Sequence, residues 1–437
     1  MNPEKNRAAA VEIVRALRAR GRVALLAGGC VRDALLGLSP KDHDVATDAR
    51  PEEVLALFPR AVAVGAEFGV VRVPTGDETV EVATFRRDDR YEDGRHPVAV
   101  TFSGPEDDAR RRDFTINGMF LDPSTGAVID HVGGRADLEK GIVRAIGDPR
   151  ERFGEDRLRL LRAVRFAARF SFAIESGTLA AIRELAPLAT GLSPERIREE
   201  IEKMLLGPRP SVAFRLLAET GLLAAVLPEV DATRGVEQPP EYHPEGDVFT
   251  HVLLMLEKLP PDATFELAMG VLLHDVGKPP TFEKTDRIRF HNHADVGAEM
   301  AEAVCERLRC SRRSRERIVA LVRDHMKFAE VTRMRESRLR RFLASDGIEE
   351  HLELHRIDCE SSHRKLDHYE FCRGKLEAYA AESPLPKPFV TGDDLIALGH
   401  APGPEIGRLL RALFDRQLEG EFATRDEALA EARRLSG

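Results

Sequence analysis

The hydrophobic period of the chain changes near residue 153, and that change limits its architecture more than any other feature. Before it, short Val- and Thr-rich runs alternate with brief helical segments. Residues 11–20 have the spacing of an amphipathic helix, and 23–27 (VALLA) read as a short buried strand running into Gly28-Gly29. Asp42-His43-Asp44-Val45 has the character of a second strand, and Pro51 suits the first turn of a helix over 51–58. Strand-like segments follow at 61–64, 69–73 and 79–85, with Gly76-Asp77 as the turn between the last two. Beyond 153, helical spacing continues almost throughout. Ser193 is placed to cap a helix that Pro194 begins, with Ile197, Ile201, Met204 and Leu205 on one face. Breaks fall at Gln238-Pro239-Pro240 and at 384–388, and Gly399, Pro402, Gly403 and Pro404 mark a turn between two helices. The expected layout is an α/β head of about 130 residues followed by helical domains.

A length of 437 residues suits two to four domains. Hydrophobic residues at 43% and charged residues at 32% fit a soluble globular protein with several cores. The start, MNPEKNRAAA, has no apolar run of signal-peptide type, and no membrane-length apolar run occurs elsewhere. The five cysteines (30, 305, 310, 359 and 372) are odd in number and lack CxxC spacing. That pattern favours reduced thiols in a cytoplasm and argues against zinc-finger chemistry. A net charge of −9 does not suggest a nucleic-acid binder, but RNA responds to local patches rather than to the sum. From Arg307 to Arg341 there are 13 Lys and Arg against 4 Asp and Glu, and a shorter basic stretch runs from Arg150 to Arg169. Either run reads as a solvated helix face or as a phosphate-binding surface.

Asp42 and Asp44 are two apart, a spacing that on a strand puts both carboxylates on one face. Such a pair can hold two divalent ions, which sit roughly 3.5–4 Å apart in sites that activate a hydroxyl and stabilise leaving pyrophosphate. Glu81, in VEVATF, is the natural third carboxylate. Just upstream, LLAGGCVRDALLG carries a strand into two glycines and a helix start. Glycines let the backbone approach phosphate, and helix-start amides with Arg32 can bind it. Taken singly, each feature also suits an ordinary turn.

GGCVRDALLG followed by KDHDVAT resembles the catalytic signature of the bacterial and eukaryotic tRNA nucleotidyltransferase and poly(A) polymerase family, whose head is polymerase-β-like. By that resemblance Gly28, Gly29 and Arg32 contact the triphosphate, and Asp42 and Asp44 bind Mg²⁺. RRDFTINGM (111–119) resembles the family's second motif, in which Arg112, Asp113 and Asn117 contact ribose and phosphate; the family usually has Ala where Gly118 stands. Residues 130–149 resemble its hinge, 152–170 its nucleotide-selecting helix, and 193–207 the helix that follows.

Asp156 and Arg159 sit three apart on an expected helix, on one face. An acceptor Asp beside a donor Arg complements cytosine and adenine, each of which presents an amino group beside a ring-nitrogen acceptor. Guanine and uracil present the reverse pattern, and a buried mismatch costs about 1–3 kcal/mol per unpaired group. In the family these residues form a protein template, and Arg162 also helps to bind nucleotide. The implied reaction adds C and A to the 3′ end of tRNA from CTP and ATP. Addition of A alone, or of a poly(A) tail, is the alternative product. FRRDDRYEDGRHP (85–97) resembles the flexible loop of members that add adenylate, and AVAVGAEFGVVRV (61–73) lacks the Arg-rich sequence of poly(A) polymerases.

Ten of the fourteen histidines lie between 243 and 368. His251 opens the helical run HVLLMLEKL, and His274-Asp275 closes LAMGVLLHD before Val276-Gly277-Lys278. HDVGK, with His251 before it, resembles the HD metal-dependent phosphohydrolases. That resemblance makes His251, His274, Asp275 and, as first choice for the last ligand, Asp358 a metal set, with His293 and His325 available to a second ion. Imidazole donors favour Mn²⁺, Ni²⁺ or Co²⁺ there. His351, His355, His363 and His368 are expected to be exposed or RNA-facing. Residues 389–421 resemble the C-terminal segment of HD-bearing members. The expected domains are a nucleotidyltransferase head (1–135), an all-α neck (136–237), an HD domain (245–380) and a helical C-terminal segment (389–437). A phosphohydrolase whose front half only binds RNA is the competing class, and the complete set Asp42, Asp44, Arg112, Asp156 and Arg159 argues against it.

Overall fold

A computed structural model describes residues 3–64, 68–76, 78–89, 98–382 and 385–435. It divides into two compact units, Met1–Asp231 and Ala232–Gly437, so the expected boundary at 135–136 falls inside the first unit. None of the described helices is long and apolar enough to cross a membrane.

The first unit opens with helix α1 (Pro3–Ala19), then β1 (Ala24–Ala27), α2 (Gly29–Leu35), β2 (Asp44–Thr47) and α3 (Pro51–Leu57). Next come β3 (Val62–Ala63), β4 (Val70–Thr75), β5 (Glu78–Thr84), the hairpin β6 (Arg86–Asp88) and β7 (Val100–Phe102), and α4 (Pro105–Arg110). β8 (Met119–Leu121) and β9 (Val128–Asp130) complete a seven-stranded sheet of order β3-β4-β5-β2-β1-β8-β9. All neighbours are antiparallel except β2 and β5. Phe85 and Phe120 meet edge to face at 5.6 Å in a core with Leu25, Ala27, Ala46 and Ala109.

Three local expectations change. Helix α1 starts at Pro3, eight residues earlier than its hydrophobic spacing suggested, because small side chains (Ala9, Ala10) extend its buried face. The second strand begins at Asp44 and excludes Asp42 and His43. Its pairing with β1 ends at Ala27↔Asp44, where Gly28 turns the chain away with φ 73°. Asp156 is not on a helix with Arg159. It is extended (φ −141°, ψ 102°) between α6 (Pro149–Glu155) and α7 (Leu158–Phe170), after α5 (Gly134–Lys140). Its carboxylate accepts the Leu158 N–H at 3.1 Å, a local bond that competes with helix at this residue. The unit closes with α8 (Ser176–Leu185), α9 (Pro194–Leu205), α10 (Pro210–Thr220), α11 (Leu222–Val226) and α12 (Pro228–Asp231). Ser193 does precede α9 but makes no side-chain cap, while Ile197, Ile201, Met204 and Leu205 are buried as expected. Of the stretches weighed for the product, residues 65–67 and 90–97 lie outside the described residues, as do Asp77 of the expected turn and residue 384 of the expected break.

Among its described residues the second unit is helical apart from a small hairpin, Phe282–Lys284 with Ile288–Phe290, which helical spacing did not foretell. Helices α13 (Val248–Glu257), α14 (Phe265–Leu273), α15 (His293–Arg307), α16 (Arg312–Asp324), α17 (Glu336–Leu343), α18 (Ile348–Ser361) and α19 (Asp367–Glu382) precede a terminal trio. Asp247, Thr264 and Ser311 cap α13, α14 and α16 with side-chain hydrogen bonds. The trio α20 (Gly392–Ala397), α21 (Pro404–Leu418) and α22 (Arg425–Leu435) has its own core around Val390, Leu395, Leu413 and Phe422, and the turn at 399–404 lies where expected.

Candidate active site and candidate metal centre

In the sheet, the end of β1 and the start of β2 lie side by side, so the glycine turn abuts Asp44. The parallel pairing Val45↔Val82 sets Glu81 beside Asp44 on the neighbouring strand. Asp44 opens to solvent, yet surrounding protein desolvates its carboxyl, and Asp42 and Glu81 repel it. Together they push its pKa up to about 7 against the pull of Arg112. Three carboxylates drawn together at one edge, with the repulsion on Asp44 unrelieved, are a donor set suited to divalent cations. Glu81 meanwhile pairs with Arg72 at 2.8 Å.

Gly28 has left-handed backbone, and a Cβ there would lie 2.8 Å from Arg112 Nη1. The turn therefore admits only glycine beside that guanidinium. Arg112 is steered by the buried Asp108, whose Oδ2 accepts its Nη2 and Nε at 3.0 and 3.2 Å. Asp113 accepts from Arg162 at 2.7 Å and from Asn117 Nδ2 at 2.9 Å. Burial pushes the Asp113 carboxyl up, but Arg162 and Asn117 outweigh it and hold it at about 2. Arg32 is buried and bonded to Asp33 and Asn117, with its guanidinium over the Phe170 ring.

Asp156 accepts from Arg196 at 2.9 Å. Arg159 is buried and donates to Glu155 at 2.7 Å and to the carbonyls of Arg152 and Arg111 at 2.9 and 3.2 Å. Most of the basic stretch 150–169 is therefore engaged within the protein, with Arg150 exposed beside Glu184. Arg159 and Arg165 are buried, and Arg152, Arg162 and Arg169 are each paired with an acid. The 307–341 stretch differs: Arg313, Arg323 and Arg338 are exposed, while Arg312 and Arg315 pair with Glu316 and Glu306.

In the second unit two ligand groups adjoin one cavity of about 1320 Å³, which all of their residues line except the fully buried His251. Donor atoms of His251, His274 and Asp358 lie within 4.8 Å of one another, as do those of Asp275, His293 and His325. His274, His293 and His325 direct Nδ1 at the carbonyls of Val271, Phe290 and Val322, at 2.9, 3.0 and 2.6 Å. Those bonds leave Nε2 as the lone-pair nitrogen. His293 Nε2 and His325 Nε2 are 3.2 Å apart, and two facing lone pairs at that distance repel unless a cation lies against both. Burial opposes a charge on His251, but Asp358 and Glu245 hold a proton there and push its pKa up to about 9. That proton stands where a metal ion would, so the residues fit one. Lys278 braces Asp275 at 2.7 Å.

Sequence reading missed Glu245, which accepts the His251 Nδ1–H at 2.6 Å, and His243, which shares that oxygen at 2.9 Å. HPEGD (243–247) was the available signal. His351 and His355 are buried, not exposed as expected: Phe328 stacks on His355 at 4.5 Å, and burial pulls the pKa of both down. His363 is exposed and His368 half-buried; both line the cavity.

Residues 24–144 match the family model described as poly A polymerase head domain. Residues 171–233 match the probable RNA and SrmB-binding site of polymerase A, and 247–370 the HD domain. The multifunctional CCA protein of Aromatoleum aromaticum is 40% identical over 305 residues, 68% of this chain and 73% of its own. The CCA-adding enzyme of Geobacillus kaustophilus is 45% identical over 216 residues, 49% of this chain. The chain spans 53% of that relative's length, about half. A crystal structure of the Bacillus stearothermophilus CCA-adding enzyme in complex with CTP superposes with a TM-score of 0.76 at 28% identity, covering 100% of this chain and 98% of the other.

Proposed function

This chain belongs to the tRNA nucleotidyltransferase and poly(A) polymerase family, and from that premise we propose that it adds C and A to the 3′ end of tRNA, using CTP and ATP without a template. The observation that carries the reading is the junction of the Gly28 turn, Arg112 and the acids Asp42, Asp44 and Glu81 at one end of the sheet. The three carboxylates would hold Mg²⁺, which when bound supplies charge to the attacking hydroxyl and the leaving pyrophosphate. Gly28 and Gly29 let the main chain approach the triphosphate, and Arg32 and the Arg112 guanidinium beside Gly28 would bind it. Asp113, held ionised by Arg162 and Asn117, orients both for ribose and phosphate. Asp156 and Arg159 read the base edge, exchanging Arg196 and the Glu155 and carbonyl contacts for the amino group and ring nitrogen of cytosine or adenine. The site residues and the domain division, with a head at 1–135, a neck at 136–237, an HD domain at 245–380 and a tail at 389–437, belong to this proposal, as does a cytoplasmic location.

The test uses tRNA transcripts ending before C, CC or CCA, with labelled CTP and ATP and end sequencing. Completion of CCA on all three supports the reading; extension only of the CC end, or a long A tract, assigns one of the other products. Asp156→Ala and Arg159→Ala should narrow the preference over UTP and GTP, and full discrimination in both variants would overturn the template role.

For the second unit we propose a separable phosphohydrolase activity on 2′,3′-cyclic or 2′-phosphates. His251, His274, Asp275 and Asp358 would hold the metal, with His293 and His325 toward a second ion. A metal bound there activates water, and Mn²⁺, Ni²⁺ or Co²⁺ should suit imidazole donors better than Mg²⁺. His274→Ala with Asp275→Ala should remove hydrolysis while nucleotide addition continues. No turnover with any of the four metals would leave this unit without that activity.

A further inference from the structure

We propose that Asn6 is a positioning residue for the carboxylate cluster, tying the turn that carries Asp42 and Asp44 to the strand that carries Glu81. The inference rests on the reading of those three acids as the metal-binding set. Asn6 lies on α1 and is 0% exposed. Its Oδ1 accepts the main-chain N–H of His43 at 2.7 Å and lies 3.2 Å from His43 Nδ1, while its Nδ2 donates to the Thr79 carbonyl at 3.3 Å. His43 stands between the two aspartates, and Thr79 is two residues before Glu81.

The ladder between β1 and β2 ends at Ala27↔Asp44, so Asp42 and His43 lie beyond its reach. The bond to Asn6 takes the place of the next rung. Only a side chain with an acceptor and a donor on one planar end can serve both partners. Reversing the amide would set its N–H against the His43 N–H, so the orientation is determined as well. Asp42, Asp44 and Glu81 repel one another, and a cluster of like charges spreads unless its backbone is held. α1 packs on β1, β2 and β5, so Asn6 reaches the cluster from behind, and nothing in the motifs around residues 28–44 announces it.

The test measures Mn²⁺ affinity of the full chain from the electron paramagnetic resonance signal of the free ion, in a His274→Ala, Asp275→Ala background that removes a ligand from each of the two groups in the second unit. Asn6→Ala should weaken binding about tenfold or more, the usual effect of removing a residue that orients metal ligands. kcat for nucleotide addition should fall with little change in the KM for CTP. Leu17→Ala loosens the same helix without touching the tie; it should lower the unfolding midpoint and leave Mn²⁺ affinity unchanged. Should Asn6→Ala not fold, Asn6→Ser, too short to span both partners, should show the same weakening. Unchanged affinity in the Asn6 variants, where Asp44→Asn abolishes binding, would overturn the proposal, and so would equal weakening by Leu17→Ala. Unchanged affinity in Asp44→Asn would instead overturn the reading of the acids as metal ligands, and this proposal with it.

Discussion

Gly277→Ala should damage the second unit far more than the addition of one methyl suggests. A Cβ at Gly277 would lie 2.6 Å from the Gly297 N and closer still to the His293 carbonyl oxygen. Both are main-chain atoms at the start of α15, so no side chain can swing aside. Relief requires the 274–278 segment and α15 to separate by roughly 1 Å or a little more, given ordinary non-bonded contact distances. Overpacking of this kind costs about 1–3 kcal/mol and falls on both halves of the metal centre at once. His293 moves with α15, and its Nε2 is 3.2 Å from His325 and 3.6 Å from Asp275, so the second ligand group opens. A weakening of metal affinity by about 10–100-fold follows from ligand displacement on that scale. Thermal unfolding and titration with Mn²⁺ or Co²⁺ in an Asp44→Asn background, which quiets the first unit, measure both effects. Wild-type metal affinity and wild-type unfolding in Gly277→Ala would refute the reasoning that close backbone approach builds this site.

Three further outcomes are expected. Asp113 is held at about 2 against an ordinary value near 3.9, so its pairing stabilises the fold fully above about pH 4 and loses that effect as pH falls through 2, a difference of about 2.5 kcal/mol; urea unfolding of Asp113→Asn against wild type should show a gap that shrinks from pH 5 to pH 2, and a constant gap would contradict this. Gly118→Ala, which restores the residue usual in the family, should destabilise by about 1–3 kcal/mol, because its Cβ would lie 2.6 Å from Val132 Cγ2 and 3.2 Å from Ile146 Cδ1; an unchanged unfolding midpoint counts against it. Charge reversal of the exposed Arg313, Arg323 and Arg338 should flatten the salt dependence of tRNA binding, whereas reversal of the paired Arg312 and Arg315 should do so less. Equal slopes for both sets would place RNA elsewhere.

What was legible in the sequence is what short-range chemistry writes there. Alternating Val and Thr marked the strands at 70–84, and Gly28-Gly29 with VRD marked a strand–turn–helix junction. Ile197, Ile201, Met204 and Leu205 marked a buried helix face, and the order of the motifs marked the family. The residues His251, His274, Asp275, His293, His325 and Asp358 were legible as types, because ligand chemistry restricts which residues can appear. Their assembly was not. The division into groups of three, the lone pairs of His293 and His325 facing each other, and the burial of His351 and His355 depend on helices far apart in sequence. Asp42 and Asp44 were read as partners on a strand, but only the end of the β1 ladder decided that Asp42 lies outside it. Charge showed the same divide. Composition located two basic runs, and tertiary pairing alone decided that most of the first is paired or buried while Arg313, Arg323 and Arg338 of the second stay exposed. A residue's chemistry and its local period are properties of the chain. Its partners are set by which surfaces pack, and packing sums over contacts that no single segment contains.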